Sequence, residues 1–273
     1  MAASPATAPT APNADIRVKI DRLNKDFRTS RGVTNAVKDV DLAVARGEFV
    51  TMVGRSGCGK TTLLRMIGGL LAPTSGSVQI DGKELWRGGR VDSAAISRLG
   101  FVFQESNLLP WFTVVDNIAL PLKLRGVPKV ARRARATELA GLVGLGGFER
   151  SYPRQLSGGM RQRVAIARAL STEPDLLLMD EPFGALDALT RERMNLELQR
   201  IVGETSSTVV FVTHDIPEAI FLGDRIVQMS PRPGRVSDIV EVDIAKPRDI
   251  AVQTEARFNE IVRDLRTKLD RED

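Results

Sequence analysis

The chain has 273 residues, 42% of them apolar, which is enough for one large domain or two small ones with a sizeable core. Lys and Arg outnumber Asp and Glu by 39 to 34, and the resulting charge of +5 suits phosphate ligands, nucleic acid or an anionic membrane face without selecting among them. One cysteine, Cys58, excludes an internal disulfide framework and fits a reducing compartment, and no stretch approaches the roughly 18 consecutive apolar residues of a spanning helix.

Residues 1–15 are rich in Ala, Pro and Thr, with neither a basic start nor an apolar run, so a disordered tail is expected there rather than a secretory signal. Alternation then begins. Ile16, Val18 and Ile20 share one strand face, and Val40, Leu42 and Val44 share another. Residues 48–53 form a short, mostly apolar run ending at Gly54, as a buried strand would. Leu63, Leu64, Ile67, Leu70 and Leu71 fall on one helical face, which Pro73 closes. Val78 and Ile80 alternate again, and Asp81-Gly82 offers a hairpin turn.

Strand signals thin out over residues 105–163, and residues 130–145 are rich in Ala, Arg and Leu, which predicts a mostly helical insert. Apolar runs return at residues 176–179, 209–212 and 226–229, separated by helical segments, so the sheet is expected to be largely parallel. Pro231, Pro233 and Gly234 mark a loop. Phe258, Ile261, Val262, Leu265 and Leu269 then form one helical stripe, either packed on its own domain or offered to a partner. There is no internal repeat.

The segment Gly54-Arg55-Ser56-Gly57-Cys58-Gly59-Lys60-Thr61-Thr62 follows a strand pattern and opens a helical one, the P-loop arrangement of Gly, four residues and Gly-Lys-Thr. The glycines let the backbone curl so that successive N–H groups meet phosphate oxygens, with the helix N-terminus behind them. Lys60 would reach the β- and γ-phosphates and the Thr61 hydroxyl would ligate Mg²⁺. Cys58 reads as a small loop residue without thiol chemistry. Asp180 and Glu181 end the apolar run of residues 176–179, where Asp180 could hold Mg²⁺ through a water and Glu181 could serve as general base. His214, the one histidine, follows another buried run, and Gln104 ends a third. Ligand-contacting residues of parallel sheets lie at such carboxyl ends.

Leu156-Ser157-Gly158-Gly159-Met160 precedes a helix on which Met160, Val164, Ala167 and Leu170 share one face, with Arg161, Arg163 and Arg168 pointing elsewhere. Ser157 suits an N-cap, and Gly158 and Gly159 leave backbone N–H groups uncovered, making a second anion-binding helix start. A chain with one P-loop needs only one such start per nucleotide, whereas two copies packed head to tail would use both.

With these motifs the chain resembles the ATP-binding subunits of ABC transporters. The order matches over about residues 16–230: the P-loop, the glutamine loop at Gln104, the signature at Ser157, the Asp180-Glu181 pair, the D-loop Ala185-Leu186-Asp187 and the switch histidine His214. Two positions depart from the commonest pattern: Met160 stands where Gln is usual, and the aromatic stacked on adenine is Phe27 rather than Tyr. The resemblance implies an α/β P-loop NTPase with a mostly parallel sheet, an antiparallel β subdomain and a helical insert. The expected division is a tail over 1–15, the ATP-binding domain over 16–235 with the helical insert at about 105–165, and a C-terminal extension over 236–273.

It further implies ATP and Mg²⁺ as cofactors. Lys60, Gln104, Glu181 and His214 would be the catalytic set, Thr61, Gln104 and Asp180 the Mg²⁺ ligands, and residues 54–62, Phe27, Ser157, Gly158, Gly159 and Asp187 the nucleotide contacts. Residues 101–111, 156–170 and 229–235 are similar to the ATPases of nitrate, sulfonate and taurine importers, in which Met160 is also at home. The expected setting is therefore a homodimer on the cytoplasmic face of the inner membrane, joined to permease subunits near residues 108–112 and to a solute-binding protein through the complete transporter, with no nucleic acid. An ABC-type ATPase acting on nucleic acid or ribosomes is the alternative; such proteins usually carry two cassettes or a long coiled coil, and neither is present. A non-hydrolysing module fits poorly with the set Asp180, Glu181 and His214, and an exporter with the absence of a fused span.

Overall fold

The structure, a computed structural model, describes residues 15–30 and 32–270, so the expected N-terminal tail lies outside it except for Asp15. Its strands and helices run, in chain order, β1 (Ile16–Thr29), β2 (Gly32–Ala45), β3 (Phe49–Gly54), α1 (Lys60–Ile67), β4 (Ser75–Ile80), β5 (Lys83–Glu84), β6 (Trp86–Arg87), β7 (Arg90–Val91) and β8 (Leu99–Val102). Then come α2 (Val114–Ile118), α3 (Leu120–Leu124), α4 (Lys129–Leu142), α5 (Gly158–Leu170), β9 (Leu176–Asp180), α6 (Ala188–Thr205), β10 (Thr208–Val212), α7 (Ile216–Leu222), β11 (Arg225–Met229), β12 (Val236–Glu241) and α8 (Ala256–Asp270). The described residues divide into two compact units, one within 15–97 and 208–270 and the other of residues 98–207.

In the first unit, β2, β1, β4 and β5 form an antiparallel sheet in that order. Ile20 faces Leu42 and Val78, so the alternating apolar residues of three strands meet on one side. Asp81 and Gly82 both take positive φ (52° and 70°), giving the two-residue turn expected between β4 and β5. The unit's other sheet segment has the order β12-β11-β3-β10, with β10 and β11 parallel to β3 and β12 antiparallel at the edge. All six residues of β3 are buried, as a continuous apolar run requires of a strand covered on both faces.

Helix α1 is shorter than its apolar stripe predicts. It stops at Ile67 because Gly68 caps it and Gly69 turns left-handed at φ 72°; Leu70 lies beyond it, 53% exposed. Helix α8 settles the open question about the C-terminal stripe. Phe258, Ile261, Val262 and Leu265 are buried, and the helix packs against α7 of its own unit. Strand β12 carries no alternation, since its residues Val236 to Val240 are all half-buried, and nothing in the pattern foretells it.

In the second unit, β8 and β9 are parallel, with Leu99 opposite Leu176 and Val102 opposite Met179. Helices α2 to α5 supply the predicted helical region. Its packing is organised by buried polar side chains. Gln162, 2% exposed on α5, donates to the Phe103 carbonyl at 2.9 Å, directly after β8. Fully buried Asn117 accepts from the Leu109 N–H at 2.8 Å and donates to the carbonyls of Phe112 (3.1 Å) and Thr113 (3.0 Å).

One buried cation ties the C-terminal extension into the first unit. Arg248, 3% exposed, donates to the carbonyls of Phe221 (3.1 Å) and Gly223 (2.8 Å) at the end of α7 and to Ile244 (2.7 Å). The planar fork thus satisfies helix-terminal carbonyls that have no partner within the helix. Burial lowers its pKa from the ordinary guanidinium value, with Asp224 acting in the opposite sense. Arg248→Ala should lower unfolding free energy by about 3 kcal/mol, because several buried acceptors lose their donor. Arg248→Lys should recover less than half of that, since one ammonium cannot reproduce the fork. Urea denaturation followed by far-UV circular dichroism reads both changes.

Candidate functional site

The glycine-rich loop leaves β3 at Gly54 and enters α1 at Lys60. Gly54, Gly57 and Gly59 hold φ of 155°, 79° and 106°, values that side chains resist. Gly59 is also sterically required, because a Cβ there would lie 2.7 Å from the Ala36 carbonyl oxygen. As N-cap of α1 it supplies no side-chain acceptor, whereas Thr113, Ser157, Asp187 and Asp215 cap α2, α5, α6 and α7 with theirs. The first turn of α1 therefore keeps N–H groups suited to an anion.

Lys60 is 5% exposed, and its ammonium donates to the carbonyls of Gly54 (2.7 Å) and Arg55 (3.2 Å) and approaches the Cys58 sulfur at 3.7 Å. No carboxylate pairs with it among the described residues. A buried cation held by neutral oxygens beside an uncapped helix start is a site that an anion stabilises. Cys58 is itself buried and fills the inside of the loop, in keeping with a packing role. Arg55 and Ser56 lie on the exposed side of the loop, and Thr61 and Thr62 are half-buried on α1.

Asp180, 1% exposed, ends β9, and Glu181 follows at φ 43°. A non-glycine residue in the left-handed region costs energy, and such strain gathers at functional positions. The structure brings Glu181 together with Gln104: the Gln104 amide nitrogen donates to the Glu181 carboxylate at 3.3 Å. That bond orients the amide and leaves its oxygen for another ligand. The residues after Gln104 hang from Arg168, which donates to the carbonyls of Ser106 and Asn107, both at 2.8 Å. Trp111, in the segment organised by Asn117, is 67% exposed.

His214 is exposed, but its neighbours are fixed. The Thr213 N–H donates to the Met52 carbonyl on β3 at 3.2 Å. The Thr213 hydroxyl accepts from the Asp215 N–H at 3.0 Å and donates to the buried Glu218 carboxylate at 2.5 Å, while Asp215 caps α7 through the Glu218 N–H at 3.0 Å. This ring holds the histidine-bearing turn at the carboxyl end of β10. Sequence reasoning missed Thr213, Glu218, Arg168 and Asn117. A Thr-His-Asp run before a helix was the available signal for the first two.

At the second helix start, the Ser157 hydroxyl accepts from the Met160 N–H at 3.2 Å, as the N-cap expectation required. Gly158 is exposed, and a Cβ on Gly159 would lie 2.9 Å from the Leu186 side chain, so the signature and Ala185-Leu186-Asp187 are in close contact. The Asp187 carboxylate caps α6 through the Thr190 N–H at 3.0 Å, and that bond lowers its pKa. Phe27 lies opposite Thr34 in the β1–β2 ladder, 39% exposed, with the Lys25 ammonium 5.3 Å from its ring centre.

Residues 37–184 match the family described as ABC transporter. The chain belongs to that family. It is 48% identical over 230 residues to the taurine import ATP-binding protein TauB of Rhizobium johnstonii, covering 84% of this chain and 85% of TauB. It is 44% identical over 253 residues to the aliphatic sulfonates import ATP-binding protein SsuB 2 of Burkholderia cenocepacia, covering 91% and 87%. A solved dimeric structure of the ATP-binding cassette MJ0796, in a post-hydrolysis state bound to ADP and Pi, superposes with a TM-score of 0.76 at 37% identity over 84% of this chain and 100% of that one. This ABC ATPase is accordingly an ATP-binding and ATP-hydrolysing subunit, with the fold that its motif order implied.

The ABC cassette's phosphate loop depends on the backbone of Gly59. Gly59→Ala forces a Cβ against the Ala36 carbonyl at positive φ, so ATP affinity should fall at least about tenfold and stability by about 1–3 kcal/mol. Calorimetric ATP titration and thermal unfolding test the two effects separately.

Proposed function

We propose that this ABC ATPase works as a head-to-tail homodimer that powers uptake of a small anionic or zwitterionic solute, of the taurine or aliphatic sulfonate kind, through separate permease subunits. The observation that carries this reading is the pair of anion-receptive helix starts in one chain. The start of α1 has a buried ammonium and no side-chain cap, and that of α5 presents Ser157, Gly158 and Gly159. One nucleotide uses the first from its own protomer and the second from the twin. The names of TauB and SsuB 2 supply the solute class and the direction of transport.

Each residue then has a definite task. Phe27 stacks on adenine through a ring that stays partly exposed. Loop N–H groups from Gly54 to Thr62, with Arg55 and Ser56 at the rim, surround the phosphates, and Lys60 exchanges its carbonyl partners for phosphate oxygens. The Thr61 hydroxyl, the Gln104 amide oxygen and Asp180 are hard oxygen donors that would hold Mg²⁺, an ion that keeps waters and substrate phosphates as its other ligands. When bound, Mg²⁺ neutralises charge on the phosphates. Glu181 takes the proton of the attacking water, and Gln104 holds that carboxylate in place beforehand. His214 donates to the γ-phosphate from its pinned turn. Asp187 contacts the twin's nucleotide through the D-loop.

Hydrolysis removes the γ-phosphate that joins the two halves, so closed and open dimers are the two states of the motor. The exposed Trp111 and its apolar neighbours in residues 108–112 dock the permease at the cytoplasmic face of the plasma membrane, and the solute-binding protein engages the completed transporter. No helix among the described residues is long and apolar enough to cross a membrane.

Glu181→Gln should lower kcat at least about 100-fold while leaving ATP affinity within about threefold, and a stable dimer should accumulate with Mg-ATP in size-exclusion chromatography. Parent-like hydrolysis would remove Glu181 from the role of base. Lys60→Ala should weaken ATP binding about 100-fold or more in the same calorimetric titration. A variant that binds like the parent would count against the phosphate cradle.

A further inference from the structure

Strands β11 and β3 are parallel, and Met229 pairs with Gly54. The turn that leaves β11 therefore stands beside the phosphate loop, at the carboxyl ends of both strands. That turn, Ser230-Pro231-Arg232-Pro233-Gly234-Arg235, closes on itself: the Ser230 N–H donates to the Arg235 carbonyl at 3.0 Å, and the Arg235 N–H to the Ser230 hydroxyl at 3.2 Å. It is then fastened to β2. The Gly234 N–H donates to the Ala36 carbonyl at 3.1 Å, and the Gly234 carbonyl accepts from the Lys38 N–H at 2.9 Å. A Cβ on Gly234 would lie 1.9 Å from the Cys58 carbonyl oxygen, so the turn's backbone rests directly on the phosphate loop.

Arg232 completes the attachment. Its Nε donates to the Gly57 carbonyl at 2.9 Å, and an Nη lies 3.3 Å from the place a Gly57 Cβ would occupy. The same peptide unit is held from its other side, because the Cys58 N–H donates to the Arg55 carbonyl at 3.2 Å. A trans peptide fixed at both its oxygen and its hydrogen cannot rotate. Its plane sets the direction in which the next two residues, Gly59 and Lys60, enter α1. Arg232 is exposed, and no carboxylate pairs with it among the described residues, so its charge adds to that of Lys60 in the field at the loop.

We propose that Arg232 is a positioning residue for the nucleotide polyphosphate: from the turn after β11 it locks the Gly57–Cys58 peptide of the phosphate loop. The ligand class is a nucleoside di- or triphosphate, and the inference rests on the nucleotide-binding reading above. A residue acting in this way changes binding more than turnover, because the loop holds phosphates in the ground state and the transition state alike.

The test uses the full-length chain with Mg-ATP and ADP. Arg232→Ala should raise KM for ATP, and Kd for both nucleotides, about tenfold with kcat within about twofold. Arg232→Lys, which keeps charge and a donor, should recover more than half of the loss. Arg235→Ala, in the same turn but beside Asp39 at 3.6 Å, should leave KM within about twofold. A purely structural contribution would instead lower the thermal midpoint and the apparent kcat without moving KM. The proposal is overturned if Arg232→Ala keeps parental KM and Kd while Lys60→Ala loses ATP. If Lys60→Ala also binds like the parent, the phosphate-loop reading fails and this inference falls with it.

Discussion

The site depends on one electrostatic constraint: a lysine ammonium, 5% exposed, held by the Gly54 and Arg55 carbonyls and the Cys58 sulfur of its own loop, with no carboxylate paired to it among the described residues. Burying a charge without a counterion is costly, so the loop must be rigid enough to keep those oxygens in place. Three glycines at positive φ make the curl possible, and the fully buried β3 anchors its start. The same arrangement prepares the site for phosphate. An anion supplies the missing counterion and meets the N–H groups that α1 leaves without a side-chain cap.

A second regularity is that the exposed functional side chains are aimed by buried ones. His214 is exposed, yet the residue before it is tied to β3 and the residue after it caps α7 through the Thr213, Asp215 and Glu218 ring. Glu181 departs from this pattern: it is half-buried, strained at φ 43° and engaged by the exposed Gln104. The segment carrying Trp111 hangs on Asn117, and the start of that segment on Arg168. Each exposed group can meet a ligand or partner without first losing conformational freedom, which lowers the entropic cost of assembly.

How much of this could be read from the sequence follows from the range of each interaction. Local signals were legible. The P-loop spacing, the Ser157 cap, the Asp81-Gly82 hairpin and the buried runs at β9 and β10 each depend on residues within a few positions of one another. Helix α1 was overextended because the apolar stripe continues through Leu70 and Leu71, while Gly68 and Gly69 end the hydrogen-bonded ladder first. Strand β12 was invisible because an edge strand half-buried along its length shows no period. The polar clamps were equally hidden. Arg248 reaches back 25 residues to Gly223, and Arg232 reaches 175 residues to Gly57, distances over which composition and spacing carry no information.

Those two arginines change how the C-terminal third should be regarded. The sequence suggests an ATPase core followed by an appended extension, but the hydrogen bonds do not respect that boundary. Arg248 terminates α7, the helix that begins beside His214, and α8 covers α7 with Phe258, Ile261, Val262 and Leu265. Loss of the extension would therefore expose an apolar helix face and leave terminal carbonyls of α7 unsatisfied. Both ends of α7 are fixed, one by the ring around Thr213 and the other by Arg248, so a displacement of the extension has a short, stiff route to the histidine turn. The extension is better described as part of the frame that holds the His214 turn than as a separate module.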